Sequence, residues 1–199
     1  MIELADGDVL KEWTPEERRE DSCRIAGMNP QARDLCDYLF GPAVAGSETR
    51  LREFLIYGAL SLPTHAFWPA FLETWPSCDI TWPYKALLLS VLRKHHRLQS
   101  CRAYLQQENA RFFDDLPPKV KVSRGCARYR VRGTAWTVNE AIAIKFARGV
   151  RFDVEPDRVI ATAVIPKEHI FAVFTDREEA EIVLDPRRLR NLRIESFAA

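Results

Sequence analysis

The feature that most constrains the fold is a change of pattern at DDLPP, residues 114 to 118. Before it, apolar residues recur at spacings of three and four, which is the period of an α-helix. After it, short β-branched segments are separated by turn residues, which predicts strands. Consecutive prolines interrupt both kinds of element. The sequence therefore predicts an α+β fold, with a helical region over residues 1–114 and a mixed or antiparallel β-rich region over residues 115–199.

Four helical segments are predicted in the first region. They are PQARDLCDYLF (30–40), ETRLREFLIYGALSL (48–62), THAFWPAFLETW (64–75) and one long pattern over residues 83–113. Residues 79–83 are expected to connect the third of these segments to the fourth. Trp68, Trp75 and Trp82 are compatible with a buried core or with a surface that recognises a substrate or docks a partner, and the pattern does not choose between the two.

The second region is predicted to contain strands and one helical insert. The strands are KVKVSRG (119–125), ARYRVRG (127–133), TAWT (134–137), RVIATAVIP (158–166), HIFAVF (169–174) and EAEIVL (179–184). The helix is NEAIAIKFARGV (139–150), which Asn139 is expected to cap. In the last strand, alternation puts Glu179 and Glu181 on one face and an apolar set on the other. Two neighbouring acids at the start of a packed strand indicate either a functional site or a solvated strand end.

Composition and charge narrow the function classes. A net charge of +1 gives no global field for a polyanion. Five scattered cysteines without a C-x-x-C pair argue against a disulfide scaffold or a zinc site and favour a reducing compartment. The longest apolar run, KALLLSVL, is too short for a membrane span, and the first residues lack a secretory signal pattern. We expect a cytoplasmic protein, in its own cell or a target cell, with no membrane partner and no metal.

Several common catalytic motifs are absent from the sequence. There is no phosphate loop, Rossmann glycine motif, H-E-x-x-H or G-x-S-x-G. The histidines are His65, His95, His96 and His169. The pair in RKHHR is expected on a solvated basic face of a helix rather than in a metal site. His169 precedes a buried strand and is expected to be structural.

Three stretches of the β-rich region stand out in chain order. They are SRG (123–125) at the end of a strand, AWT (135–137) followed by AIKFA (143–147), and EAE (179–181). Together they resemble the arginine-serine-glutamate branch of the ADP-ribosyltransferase superfamily, in its compact bacterial or phage type, over about residues 117–186. The resemblance implies a toxin-like enzyme that transfers ADP-ribose from NAD to a macromolecular acceptor, a protein arginine or a nucleic acid, and releases nicotinamide.

The resemblance also implies roles for the two carboxylates. The nicotinamide–ribose bond of NAD breaks with oxocarbenium character, as in glycoside cleavage, so a carboxylate must lie beside the developing positive charge. By position, Glu181 is expected to hold the ribose 2′-hydroxyl and to stabilise this cation. Glu179 is expected to orient or deprotonate the acceptor.

The NAD-binding residues implied by the resemblance are Arg124, Gly125, Ala135, Trp136, Thr137 and Phe146. Arg124 is expected to bind the phosphates or a ribose, because a guanidinium can contact phosphate through two donors. Gly125 is expected to offer backbone groups to the carboxamide of nicotinamide. Trp136 and Phe146 are compatible with the walls of the pocket or with core packing.

Ala135 leaves alternatives open, because the family usually has a serine at this point. Thr134 or Thr137 would then have to supply the hydroxyl near the nicotinamide ribose. If water replaces the acceptor, the protein is an NAD glycohydrolase. If turnover is lost, it is a non-catalytic binding module with the same fold. An inhibitor or antitoxin protein is a partner compatible with the toxin-like role.

Basic residues are concentrated in two segments of the β-rich region. They are KVKVSRGCARYRVRG (119–133) and DPRRLRNLR (185–193). Such segments can follow a nucleic-acid backbone. They are equally compatible with solvated strand faces that balance the acids elsewhere in the chain.

Overall fold

The structure, a computed structural model, describes residues 29–41, 46–149, 157–175 and 179–197. Its helices before the sheet are α1 (Pro30–Phe40), α2 (Gly46–Glu53), α3 (Thr64–Thr74), α4 (Lys85–Leu98) and α5 (Gln107–Asp115). A π-helical segment, Phe54–Ala59, follows α2 directly. Within the described ranges, no helix is both long enough and apolar enough to cross a membrane.

The prediction of one long helical segment over residues 83–113 is wrong. Gln99 has an extended backbone, with φ −159° and ψ 133°, and ends α4. The side chain of Ser100 then accepts a hydrogen bond from the backbone N–H of Arg102 and starts a short 3₁₀ helix, Cys101–Tyr104. Serine competes for backbone groups in this way, which the spacing of apolar residues does not reveal.

The β-rich region forms one six-stranded sheet. Its strands are β1 (Lys119–Ala127), β2 (Ala135–Thr137), β3 (Arg158–Pro166), β4 (Ile170–Phe174), β5 (Glu181–Leu184) and β6 (Arg190–Ser196), in the order β4-β5-β2-β1-β3-β6. All the neighbouring pairs are antiparallel. The helix α6 (Glu140–Arg148) lies between β2 and β3 in the chain, and Asn139 caps it as predicted. The α+β class is therefore confirmed, with an antiparallel sheet.

Two parts of the sheet differ from the sequence prediction. Residues 127–133 do not form a strand, because after Ala127 the chain enters a 3₁₀ turn, Arg128–Arg130. Conversely, β6 is a strand that the sequence does not predict. Its residues are mostly polar and almost all exposed, so its burial lacks the alternation of a half-buried strand.

Two buried clusters hold the protein together. The cluster of the helical region is rich in aromatic rings, among them Phe67 and Trp68. The cluster of the sheet is built mainly from valine, isoleucine and alanine. Phe171, Phe174 and Val183 of the sheet belong to the helical cluster. The two regions thus share a core, and their division into separate domains stays a prediction.

An ion pair also joins the two regions. Arg93 of α4 donates from Nε and Nη2 to the two carboxylate oxygens of Asp185, both at 2.7 Å. Asp185 directly follows β5 and is 6% exposed. Burial raises the pKa of Asp185, but hydrogen bonds from Arg93 and from the backbone N–H of Arg187 outweigh this effect and leave the pKa below its ordinary value.

Candidate functional site

A cleft of about 460 Å³ is lined by both the helical region and the sheet. One side, called here the helical wall, follows α3 and consists of residues 75, 76 and 78–83. The other side, called here the sheet wall, consists of residues 123–127 of β1 and 135–137 of β2. The cleft is also lined by Glu179 and Glu181 and by Arg130, Ile142, Ala143, Phe146, Gly149, Arg158 and Phe174.

The sheet wall opens because β1 and β2 separate. Ser123 of β1 pairs with Thr137 of β2. Beyond this pair, the guanidinium of Arg124 bridges the strands, since its Nη1 donates to the carbonyl oxygen of Ala135. Gly133 leaves space for this group, because a Cβ there would lie 2.7 Å from Arg124 Nη2. Side chains alternate along β1, so Arg124 and Ser123 leave the strand on opposite faces, yet both residues line the cleft.

Arg124 combines a structural contact with an unused donor. Its Nη1 is committed to Ala135, whereas its buried Nε has no hydrogen-bond partner within the described residues. A buried donor without an acceptor is unfavourable, and such groups often occur at sites that bind a ligand.

Glu181 is the first residue of β5 and lies half-buried at the cleft. It pairs with Thr137 of β2, which in turn pairs with Ser123 of β1, so these three side chains lie on one face in neighbouring strands. The indole Nε1 of Trp75, on the helical wall, donates to Glu181 Oε1 at 3.0 Å. This hydrogen bond crosses from the helical region to the sheet.

Glu179 does not lie in the strand, and the prediction that β5 begins there is wrong. Ala180 has φ +42°, in the left-handed region, and the strand begins only at Glu181. Simple alternation therefore does not relate the directions of the two carboxylates. The hydroxyl of Thr137 donates to the carbonyl oxygen of Glu179 at 2.6 Å and accepts from the backbone N–H of Asn139 at 2.9 Å. Thr137 thus ties the backbone of Glu179 to the start of α6.

Thr137 and Thr134 do not replace the missing serine hydroxyl in any simple way. Both side chains are buried. The one hydroxyl proton of Thr137 is already donated to Glu179, and Thr134 is not among the residues that line the cleft. Ala135 lines the cleft without contributing a hydroxyl.

Gly125 is required by packing as well as exposed to the cleft. A Cβ at this position would lie 1.8 Å from the carbonyl oxygen of Ala143 and 2.5 Å from the backbone nitrogen of Ala147. The backbone of α6 therefore lies directly on β1, and only glycine allows this approach. The close backbone approach inferred from the sequence exists, but its partner here is a helix of the same chain.

Trp136 and Phe146 have different surroundings. Trp136 is 2% exposed, belongs to the sheet cluster and donates from Nε1 to the carbonyl oxygen of Gly133 at 3.0 Å. Phe146 is half-buried, and its carbonyl oxygen accepts from Nη1 of Arg158 at 2.9 Å. Both residues line the cleft. Trp136 is mainly a core residue, and Phe146 is the more accessible wall.

All the site residues predicted from the sequence line this one cleft, namely Glu179, Glu181, Arg124, Gly125, Ala135, Trp136, Thr137 and Phe146. The sequence leaves the roles of Trp75 and Trp82 open and does not predict that Arg130 and Arg158 line the cleft. Trp75 could not have been found by spacing, because 106 positions separate it from Glu181. The charge of the basic segment 119–133, which contains Arg130, does not by itself predict a position at the cleft.

The chain matches no protein-family model, no curated protein and no solved structure. The cleft itself must therefore carry any assignment of function. Its ionisable groups are mainly carboxylates and guanidinium groups, together with the thiols of Cys78 and Cys126. Burial raises the pKa of Cys78 to about 12, so this thiol stays protonated and is a poor nucleophile near neutral pH.

The prediction of a solvated histidine pair is wrong for His95. Its ring is 1% exposed and stacks on Phe67 with a centroid distance of 3.9 Å. Nδ1 of His95 lies 3.0 Å from the hydroxyl of Thr64, and burial lowers its pKa. His96 is half-buried, with Nε2 3.0 Å from the carbonyl oxygen of Glu168. No group of three metal-ligating side chains occurs among the residues that the structure describes.

The two basic segments do not form one continuous stripe. Lys121 and Arg128 take part in ion pairs with Glu140 and Asp157. Others line the cleft, as described above for Arg124 and Arg130, while the basic residues of β6 are exposed at the edge of the sheet. Both interpretations of these segments stay open.

Proposed function

We propose that this protein is an NAD-dependent, toxin-like mono-ADP-ribosyltransferase that acts on a macromolecular acceptor in the cytoplasm of its own or a target cell. The observation that carries the proposal is the meeting of three separate sequence stretches in one cleft. Residues 123–125, 135–137 and 179–181 come from three different strands or their ends. Each motif alone is weak evidence. Together they support the proposal, because separate parts of the chain bring them to the same cleft.

The charges of the cleft also support NAD as the substrate. Glu181 pairs with Thr137, which pairs with Ser123, so Glu181 lies at the position of Ser123 along β1. Arg158 pairs with Ala127, which lies further along β1. Four residues of β-strand separate these positions, about 13 Å at about 3.3 Å per residue. NAD carries a positive charge on its nicotinamide ring and negative charges on its pyrophosphate. A carboxylate and a guanidinium whose strand positions are this far apart suit the two halves of such a molecule.

In the proposed reaction, the bond between nicotinamide and the ribose C1′ breaks, and its electron pair leaves with nicotinamide. The ribose becomes an oxocarbenium ion, and a carboxylate beside it lowers the energy of the transition state. We assign this role to Glu181, and we assign to Glu179 the orientation or deprotonation of the acceptor. The acceptor then forms the new bond to C1′ and loses its proton. Arg124 binds the phosphates or a ribose of NAD.

The test uses NAD labelled in its ADP-ribose part, incubated with a cell lysate and with the purified protein. Nicotinamide release and label transfer are compared for the natural protein, Glu181→Gln and the control Glu195→Gln, an exposed residue of β6 outside the cleft. Glutamine keeps the shape of the side chain and removes its charge, so Glu181→Gln should lower the rate by about 100-fold or more. Glu195→Gln should leave the rate unchanged.

The outcomes separate the alternatives. Label that is lost with protease indicates a protein acceptor, and label that is lost with nuclease indicates a nucleic acid. Nicotinamide release without stable label indicates the NAD glycohydrolase. A folded protein that binds NAD and releases no nicotinamide is the non-catalytic binding module, for which Ala135 and the committed hydroxyl of Thr137 are the observations in favour. The absence of both NAD binding and nicotinamide release in a folded protein would overturn the proposal.

A further inference from the structure

We propose that Trp75 is a positioning residue for Glu181, so that the helical region completes the catalytic site rather than serving only for recognition or docking. The inference rests on the proposed function, because it takes Glu181 as the carboxylate beside the ribose. It concerns a residue that no motif includes, and it is carried by one hydrogen bond between the two regions.

The contact between Trp75 and Glu181 has the geometry of a committed hydrogen bond. Nε1 of the indole donates to Oε1 at 3.0 Å, and the indole is 4% exposed. A buried indole N–H has one proton to donate, and leaving it without an acceptor would be unfavourable. Glu181 is therefore the acceptor that satisfies Trp75, and Trp75 fixes one oxygen of the carboxylate.

Trp75 can hold this position because its surroundings are rigid. It begins a 3₁₀ turn, Trp75–Ser77, at the end of α3, and its ring packs against Phe71 with a centroid distance of 5.4 Å. The hydroxyl of Ser77 donates to the carbonyl oxygen of Thr74 at 2.7 Å. Nη1 of Arg50 donates to the carbonyl oxygen of Ser77 at 3.1 Å. The turn is thus tied to α2 and α3, and the indole is a fixed donor.

The neighbouring strand does not offer an equivalent donor. Thr137 pairs with Glu181, but its hydroxyl proton goes to Glu179. Ala135 carries no hydroxyl. The indole N–H of Trp75 is a donor to Glu181 from outside the sheet.

The uncharged N–H of Trp75 is compatible with the proposed role of the Glu181 carboxylate. The indole N–H cannot transfer its proton near neutral pH, so it favours the ionised form of Glu181 without cancelling its charge. It binds Oε1 of the carboxylate. Fixing the carboxylate before the substrate binds reduces the reorganisation that the transition state requires.

The experiment compares Trp75→Phe with Trp68→Phe. Both substitutions remove the N–H of a buried indole and keep an aromatic ring, and Trp68 donates to the carbonyl oxygen of Gln99 at 2.9 Å, in the helical region. We expect Trp75→Phe to lower kcat for NAD cleavage by about 10-fold or more, the loss of one hydrogen bond to a charged group, with little change in KM. The acid limb of its pH–rate profile should move to higher pH. Trp68→Phe should change stability alone.

Two further results decide the inference. In the double variant with Glu181→Gln, Trp75→Phe should cause little additional loss, because residues that act as a unit are not additive. If Trp75→Phe retains the natural kcat and pH profile, as Trp68→Phe is expected to, the positioning role is overturned.

A measurement without NAD keeps this test separate from that of the proposed function. In protein with labelled glutamate carboxyl carbons, the NMR signal that disappears in Glu181→Gln identifies Glu181. Its titration midpoint should move to higher pH in Trp75→Phe and stay in place in Trp68→Phe. A midpoint that does not move would overturn the role of Trp75 even in an active enzyme. A midpoint that moves in a protein that never cleaves NAD would overturn only the proposed reaction.

Discussion

Each of the two regions contains a glycine against which another element packs, and the two contacts differ in what they meet. In the helical region, a Cβ on Gly58 would lie 2.1 Å from Cδ2 of Leu35, the end of a flexible side chain. In the sheet, a Cβ on Gly125 would lie 1.8 Å from the backbone oxygen of Ala143. A side chain can change rotamer, whereas a helix backbone can move only as a whole.

The difference shows how each region fixes its geometry. The helical region fills its interior with large rings, such as the stacked pair Phe67 and Phe71. Around the cleft, the sheet relies on contacts to the backbone, because α6 lies on β1 and the hydroxyl of Thr137 binds Glu179 and Asn139 through their main chains. The helical region should therefore adapt to small substitutions that the sheet wall cannot accommodate.

The largest effect is expected from adding one methyl group to the sheet wall. Gly125→Ala should lower the free energy of unfolding by about 3 kcal/mol or more, because α6 must move away from β1. Gly58→Ala is the matched control, and its effect should stay within about 1 kcal/mol, since Leu35 can move and alanine favours a helix. Chemical denaturation followed by circular dichroism measures both. Equal losses in the two variants would contradict the comparison.

A smaller effect is expected at the junction of the two regions. Arg93→Met should lower the free energy of unfolding by about 2 kcal/mol near neutral pH, because it leaves the carboxylate of Asp185 buried without its guanidinium. The sign of the pH dependence follows from the lowered pKa of Asp185. The stabilisation is fully present above the unfolded pKa, about 3.9, and is lost as the pH falls through the lower folded value.

This prediction has an exposed counterpart within the helical region. Arg102 and Asp114 form an ion pair whose side chains are both about half exposed. Arg102→Met should have a much weaker effect than Arg93→Met, because water screens the pair. The stability difference between natural protein and Arg93→Met should shrink on acidification in denaturation curves. A constant difference down to low pH would argue against a stabilising role for the ion pair.

The smallest effect is expected at Thr137, where only a hydroxyl is changed. Thr137→Val removes the hydrogen bonds to Glu179 and Asn139 but keeps the shape, so unfolding should become easier by about 1–2 kcal/mol. If Glu179 serves the acceptor, label transfer should fall more than nicotinamide release. Thr137→Ser keeps the hydroxyl and serves as the control. If Thr137→Val and Thr137→Ser transfer label at the same rate, the hydrogen bond from the hydroxyl of Thr137 does not position Glu179.

Sequence pattern was sufficient where local periodicity decides structure. The alternation of β3 and the cap of α6 at Asn139 both follow from it, and residues 123–125, 135–137 and 179–181 were singled out by resemblance. It failed where a single residue changes the backbone. Gln99 ends α4, and left-handed Ala180 separates Glu179 from the strand, yet neither residue carries a strong signal of its own.

The sequence pattern also does not predict contacts between residues that are far apart in the chain. Trp75 reaches Glu181 through the docking of one region on the other, which no spacing within 199 residues encodes. His95 lies in a strongly basic stretch, RKHHR, and is nevertheless buried against Phe67. In both cases the side chain's position depends on an element distant in sequence, so pattern reasoning lacked the relevant neighbour.

The two outer strands of the sheet protect it from aggregation in different ways. An outer strand exposes backbone donors and acceptors to which a foreign strand could add. All residues of β4 are buried, in part against the helical region, so this edge is covered. In the described part of the chain, β6 pairs on one side only, and it carries Arg190 and Arg193 together with Asn191 in a left-handed conformation next to an irregular register. Charge and a break in regularity thus oppose the addition of a further strand at this edge.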